Sequence, residues 1–266
     1  MTEPRVVLDG LVMGESIRWH AGRIWFSDWG AGEVIRVEGD KPEIVARMSE
    51  GPFCIDWLPG GELLLLDGPG ARLLRDGSVL ADLGDIDRAH PWNDIAADSR
   101  GNVFVNNIGY AFGVEEPAPG LLAVVTPAGE ARQVADDLLF PNGMAVTPDD
   151  ATLIVAESHG GRLTAFDIAP DGGLGNRRVW AELPGAAPDG ICLDAAGAIW
   201  YADVPNQRCV RVREGGEVVA TVRTDRGAFD CVLDDQETLY AVTADYTSLF
   251  TGRTGQLVAA AVGPAR

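Results

Sequence analysis

A chain of 266 residues with 46% apolar side chains is long enough to bury one large core and too apolar to stay disordered. Its 40 acidic against 21 basic residues leave a net charge of −19, which repels nucleic acid and anionic membrane surfaces. Cys54, Cys192, Cys209 and Cys231 show no Cys-x-x-Cys spacing, and His20, His90 and His159 are scattered, so a zinc site built on thiolate or imidazole is disfavoured.

The opening Met-Thr-Glu-Pro-Arg-Val-Val-Leu-Asp-Gly lacks the basic head and apolar core of a signal peptide. No apolar run approaches the length of a membrane span. The expectation is a reduced, cytoplasmic protein, monomer or homodimer, with residues 1–266 forming one domain.

Residues 6–9 read as a short opening strand. Residues 14–37 then give a strand to Trp19, a His-Ala-Gly-Arg turn and two further strands. A second unit runs from Phe53 through Pro59-Gly60-Gly61 to residues 63–66, with 72–75 as its next strand. The third starts at Trp92-Asn93-Asp94, runs through residues 102–106, and carries the longest interruption, residues 109–120. The fourth spans 140–158 and continues through 163–168; its Pro-Asp-Asp favours a reversal. The fifth covers 189–193, 199–203 and 210–213, and the sixth 229–233, 239–243 and 256–262. These units recur around Trp25, Leu64, Phe104, Ile154, Trp200 and Tyr240. A period of roughly 40 to 50 residues in short strands is that of propeller blades. The chain is therefore predicted to be an all-β, six-bladed β-propeller, sealed by residues 6–9 against 256–262.

The register yields two columns. One reads Glu15, Phe53, Asn93, Asn142, Asp189 and Phe229; two residues on, it reads Ile17, Ile55, Ile95, Met144, Ile191 and Cys231. Residues two apart in a strand share a face, so the uniformly apolar column is core. The column at its head carries oxygen in four of six blades. A propeller brings each innermost strand to the axis, so Glu15, Asn93, Asn142 and Asp189 are expected to converge there. Two carboxylates and two amide oxygens make a hard site for a divalent cation, with positions open for water and substrate. Opposite them, Asp28, Asp67, Asn106, Glu157, Asp203 and Thr243 read as a second polar ring, serving either as solvated strand ends or to orient the ligands.

Gly-Glu-Ser-Ile-Arg-Trp at 14–19, Trp-Asn-Asp at 92–94, Phe-Pro-Asn-Gly-Met-Ala at 140–145 and Pro-Asp-Gly-Ile-Cys-Leu-Asp at 188–194 resemble the SMP-30/gluconolactonase/LRE-like family of six-bladed propellers, over about residues 8–262. The resemblance implies a divalent-metal-dependent hydrolase, typically a lactonase, with relatives that act on organophosphates. By matching motif, Glu15, Asn142 and Asp189 would bind metal. Asn93 would bind it too or orient substrate and water, and Asp189 would double as general base or nucleophile. Ca²⁺ is the first expectation for the ion, with Mg²⁺, Mn²⁺ and Zn²⁺ open.

Sugar-lactone members commonly carry an Arg two residues before the Asn of the third motif; here that position is Pro91, with Trp92 beside it. Phe53, Trp92 and Phe229, together with Trp29, Tyr110 and Phe112, make the expected mouth apolar, with Asn106 and His90 as its polar substrate contacts. The predicted substrate is a small lactone or ester. Two other readings stand beside it: a different acid/base reaction on an apolar substrate, and a non-enzymatic binding propeller with a structural Ca²⁺.

Overall fold

The computed structural model describes residues 3–48, 51–248, 250 and 252–263; the ends of the expected 1–266 unit lie outside them. The chain opens with β1 (Arg5–Leu11) and then lays down four-stranded antiparallel blades in order. Blade one is β2 (Gly14–His20), β3 (Arg23–Asp28), β4 (Glu33–Glu38) and β5 (Lys41–Arg47). Blade two is β6 (Phe53–Trp57), β7 (Leu63–Asp67), β8 (Arg72–Arg75) and β9 (Ser78–Asp82). Blade three is β10 (Trp92–Ala97), β11 (Val103–Asn107), β12 (Gly120–Val125) and β13 (Ala131–Leu138). Blade four is β14 (Pro141–Val146), β15 (Thr152–Glu157), β16 (Arg162–Ile168) and β17 (Leu174–Glu182). Blade five is β18 (Pro188–Leu193), β19 (Ile199–Asp203), β20 (Arg208–Val212) and β21 (Val218–Arg223). Blade six is β22 (Gly227–Leu233), β23 (Thr238–Ala244) and β24 (Gly255–Ala261), completed by β1 as its outer strand. The helical content among the described residues is one 3-10 turn at Tyr246–Ser248.

Hairpins form where the sequence offers left-handed residues. Ala21 and Gly22 have φ of 51° and 74°, and Asp76 and Gly77 have 48° and 77°. Two successive positive values give the turn whose twist matches that of the strands it joins.

The apolar core lies between blades rather than within one. Along β7, Leu64 and Leu66 face blade three, while Leu65 faces blade one. On β19, Ile199 and Tyr201 pack against blade four, while Trp200 and Ala202 pack against blade six. A strand covered on both faces reads as a continuous apolar run, as Leu63-Leu64-Leu65-Leu66 does.

The two ends of the chain close the ring as expected. β1 pairs antiparallel with β24, from Arg5 opposite Ala259 to Leu11 opposite Gly255. Leu11 and Leu257 join Met13, Ile17, Phe26 and Val242 in the core between blades six and one. At the crossing, a Cβ on Gly255 would lie 2.8 Å from the Leu11 Cβ and 2.9 Å from its carbonyl oxygen. Gly255→Val is therefore expected to lower stability by about 1–3 kcal/mol, the usual cost of overpacking. Thermal unfolding checks this; an unchanged midpoint would show that the closing strands can part without loss.

Candidate functional site

The inner strands owe their shape at the axis to one recurring irregularity. The pairing slips between Glu15 and Arg18, Trp92 and Ile95, Pro141 and Met144, Pro188 and Ile191, and Ala228 and Asp230. Each slip is a β-bulge, which places an extra residue opposite the neighbouring strand and re-aims its side chain. β6 has none, and pairs without interruption from Phe53–Asp67 to Trp57–Leu63. Glu15, Asn93, Asn142 and Asp189 all stand at bulges.

Two of these four are hydrogen-bonded to each other, Asn93 Nδ2 donating to Asn142 Oδ1 at 3.2 Å, and the Asn142 side chain is near enough to Asp189 to favour its charged form. Asn142 Nδ2 donates to Ser158 Oγ at 3.3 Å, and Ser158 Oγ donates to the Pro188 carbonyl at 2.7 Å, tying blade four to the entry of β18. Glu15 is close enough to Asp189 for their charges to repel.

The glycines after Asn142 and Asp189 are not turn residues. A Cβ on Gly143 would meet Asp189 O and Ile191 N at 2.6 Å, and one on Gly190 would meet Asp230 Oδ1 at 1.9 Å. Both are needed because β14 lies against the β18 backbone at Gly143, and β18 lies against the Asp230 side chain at Gly190.

Beside these four residues lies a charge network that the sequence reading missed. Arg18 reaches Asp94 Oδ1 at 3.1 Å and Asp230 Oδ2 at 3.3 Å, and also donates to the Ile95 and Ile17 carbonyls. Asp230 accepts from the Ile17 and Cys231 amides, and Asp56 from the Ala97 amide. The available signal was a charged residue within otherwise apolar strands, each one residue from a position already singled out.

Arg18 compensates Asp94 and Asp230, while Glu15 and Asp189 have no ion-pair partner among the described residues. Burial, then repulsion from Asp189, Asp230 and Asp94, raises Glu15 well above the ordinary carboxylate range. Burial and the charges of Asp230 and Asp94 do the same to Asp189. Burial pushes Asp230 up to about 7 despite Arg18. The site thus concentrates negative charge without an internal counter-charge, beside two amide groups. That donor chemistry fits a divalent cation, with Glu15, Asn93, Asn142 and Asp189 as the residues able to hold it. No three His, Cys, Asp or Glu side chains gather at metal-holding spacing among the described residues, so the amide oxygens are essential to any such site.

The second ring is displaced by one residue in blade three. Asn107, not Asn106, stands opposite Trp92, as Asp28 stands opposite Gly14 and Glu157 opposite Pro141. The ring clamps the segments entering the inner strands. Asp28 accepts from the Val12 and Met13 amides, Glu157 from Leu139 and Asp203 from Ala187. Asn106 instead accepts from the Asp94 amide at 3.2 Å and donates to the Asn142 carbonyl at 2.6 Å. It is fully buried and holds the site's backbone.

The expected apolar mouth is placed differently. Trp92 is 0% exposed in the core between blades two and three, its Nε1 donating to the Asp87 carbonyl. The bulge that turns Asn93 to the axis sends its neighbour the other way. Unbulged pairing sets Phe53 between Val34 and Leu65, and Phe229 packs between blades six and one. His90 bonds Asp87 Oδ2 at 2.8 Å and Glu115 Oε2 at 3.3 Å, stapling the loop of residues 108–119 to the segment before β10. A separate surface cleft of about 400 Å³, lined by Arg162, Thr164, Arg177 and Val179 among others, lies on the outer strands of blade four, away from the axis.

Two outcomes follow from this placement. Trp92→Ala is expected to destabilise the fold by about 3–5 kcal/mol, as for a fully buried aromatic; denaturant unfolding checks it, and a loss below about 1 kcal/mol would argue against a core role. A carboxyl whose pKa rises on folding binds more protons in the native chain than in the unfolded one, so it weakens the fold as pH climbs. The window runs from about pH 4, the ordinary carboxylate value, to about 7, where Asp230 titrates. In chelator, the thermal midpoint should fall between pH 5 and pH 7.5. A rise over that interval would contradict the charge distribution described here.

No helix among the described residues is long and apolar enough to cross a membrane. Pentonolactonase XacC of Haloferax volcanii is 27% identical over 92% of this chain and 86% of its own length. The 6-deoxy-6-sulfogluconolactonase of Pseudomonas putida is 29% identical, but over 39% of this chain and 37% of its own. The solved structure of a calcium-binding protein, regucalcin from Agrobacterium tumefaciens, superposes with a TM-score of 0.80 at 17% identity, covering 97% of this chain and 93% of that one, which shows the shared fold. The model of the SMP-30/Gluconolactonase/LRE-like region matches residues 13–245, most of the propeller and all four residues of the candidate site, and the chain belongs to that family.

Proposed function

We propose that the chain is a divalent-metal-dependent hydrolase that opens a lactone or a similar ester. The observation that carries this reading is the pair of buried carboxylates, Glu15 and Asp189, brought together from blades one and five without a counter-charge and flanked by Asn93 and Asn142. Support comes also from the relatives, two of which are named as lactonases. The calcium-binding description of the regucalcin that shares the fold makes Ca²⁺ the first ion to test, followed by Mg²⁺, Mn²⁺ and Zn²⁺.

A cation held by these four residues supplies Lewis-acid charge for a substrate carbonyl. Asp189 takes the proton from the attacking water as the water oxygen bonds the carbonyl carbon. The ring C–O bond then breaks, and the departing alkoxide receives that proton, giving the open hydroxy acid. Asn93, fixed by its hydrogen bond to Asn142, orients water and substrate. Glu15 contributes charge without taking part in proton transfer.

These roles separate by mutation. Asp189→Asn keeps an oxygen donor but removes the base, so kcat should fall on the order of 10² to 10⁴-fold even at saturating metal. Glu15→Gln should lose activity through weaker metal binding, and excess metal should restore part of it. The measurement is kcat for both variants across a metal titration. Full rescue of Asp189→Asn would reduce Asp189 to a ligand and transfer the base to another residue.

A further inference from the structure

An aromatic cluster borders the candidate site on the side of blade four. Phe140 lies two residues before Asn142, and His159 follows Ser158, which binds the Asn142 side chain. Their rings are 4.7 Å apart. Phe140 takes a φ of 60°, rare for an aromatic residue, and is held there as its carbonyl accepts from the Ser158 amide, while the His159 amide donates to the Leu139 carbonyl. From blade three, the loop of residues 108–119 adds Tyr110, 5.9 Å from the Phe140 ring, and Phe112, edge-on to it at 5.6 Å.

The loop is anchored rather than loose. A Cβ on Gly109 would fall 2.1 Å from the Pro119 carbonyl oxygen, and one on Gly120 would fall 2.6 Å from the Pro141 ring, so both ends lie tight against the blade. The Ala111 amide donates to Glu115 Oε2, and His90 meets the same oxygen.

Two features of this wall are left unsatisfied in the folded chain. Phe112 is 67% exposed, an aromatic face offered to solvent. The Tyr110 side chain is only 3% exposed, and its buried hydroxyl has no hydrogen-bond partner. A buried hydroxyl left unpaired is a standing cost that a ligand oxygen would remove. Burial raises the Tyr110 phenol and lowers the His159 imidazole, so the first stays a donor and the second stays uncharged at neutral pH.

We propose that Phe112, Phe140, His159 and Tyr110 form the specificity subsite for the substrate, with an aryl substituent lying against Phe112 and Phe140 and the Tyr110 hydroxyl donating to a substrate oxygen. The assignment rests on the hydrolase reading above and names its substrate class as aryl lactones rather than polyhydroxylated ones. Aromatic faces reward stacking and apolar area, and offer nothing to a ring of hydroxyls.

The test compares kcat/KM for dihydrocoumarin and for γ-butyrolactone in wild type and Phe112→Ala. The ratio should fall about tenfold in the variant, the scale of discrimination an apolar pocket provides, mainly through KM. A ratio equal to that of wild type overturns the subsite. Tyr110→Phe should unfold at or above the wild-type temperature yet lose several-fold in kcat/KM for dihydrocoumarin; wild-type kcat/KM removes the hydroxyl from the assignment. If wild type opens neither lactone, the hydrolase reading falls, and calorimetric titration of dihydrocoumarin decides the subsite by itself. Weaker binding by Phe112→Ala then upholds it, and equal or absent binding to both proteins rejects it.

Discussion

Six inner strands drawn around one axis leave almost no volume between them, and the rest of the structure answers to that constraint. Where strands approach most closely the side chain disappears: a methyl on Gly143 or Gly190 would run into Asp189, Ile191 or Asp230. The polar side chains that remain each need a partner because water is largely excluded. Asn106 meets this need twice over, and Asp230 three times, by accepting from Ile17, Cys231 and Arg18. Glu15 and Asp189 differ, since neither has an ion-pair partner among the described residues.

Bulges reconcile the packing with the chemistry. A regular β-strand alternates its side chains strictly, so a polar residue facing the axis would place apolar neighbours at fixed positions on either side. An extra residue at this level breaks the alternation locally: Asn93 turns to the axis while Trp92 fills the interblade core. The same device in blades four and five sets Asn142 and Asp189 without disturbing Met144 and Ile191 in the core beyond. The carboxylates and amides of the second ring then fix the segments leading into these bulges by capturing backbone amides. The candidate site is thus held by ordinary backbone hydrogen bonding on strands rather than on loops.

Electrostatics divides these carboxylates into two sets. Arg18 pairs with Asp94 and Asp230, whereas Glu15 and Asp189 have no ion-pair partner among the described residues. An apolar wall beside the candidate site comes from two blades and one connecting loop. In the function proposed above, the charge would recruit an ion and the wall would select what approaches it.

The amino-acid sequence by itself determined the architecture. Repeated apolar runs around Trp25, Leu64, Phe104, Ile154, Trp200 and Tyr240 specify six blades, and the strands at the two chain ends are legible as the seal. Glu15, Asn93, Asn142 and Asp189 are legible as one register of the candidate site, since each sits at the same distance from the apolar run that follows it. Only the tertiary structure decided what surrounds them. Phe53, Trp92 and Phe229 looked like a mouth and are core, because one column drawn through all six blades assumes one register, whereas five inner strands are bulged and β6 is not. The union of Arg18 with Asp94 and Asp230, and of Tyr110 with Phe140 and His159, joins residues from different blades. Strand periodicity is a local property of the chain, whereas these contacts exist only once the ring has closed and brought distant blades side by side.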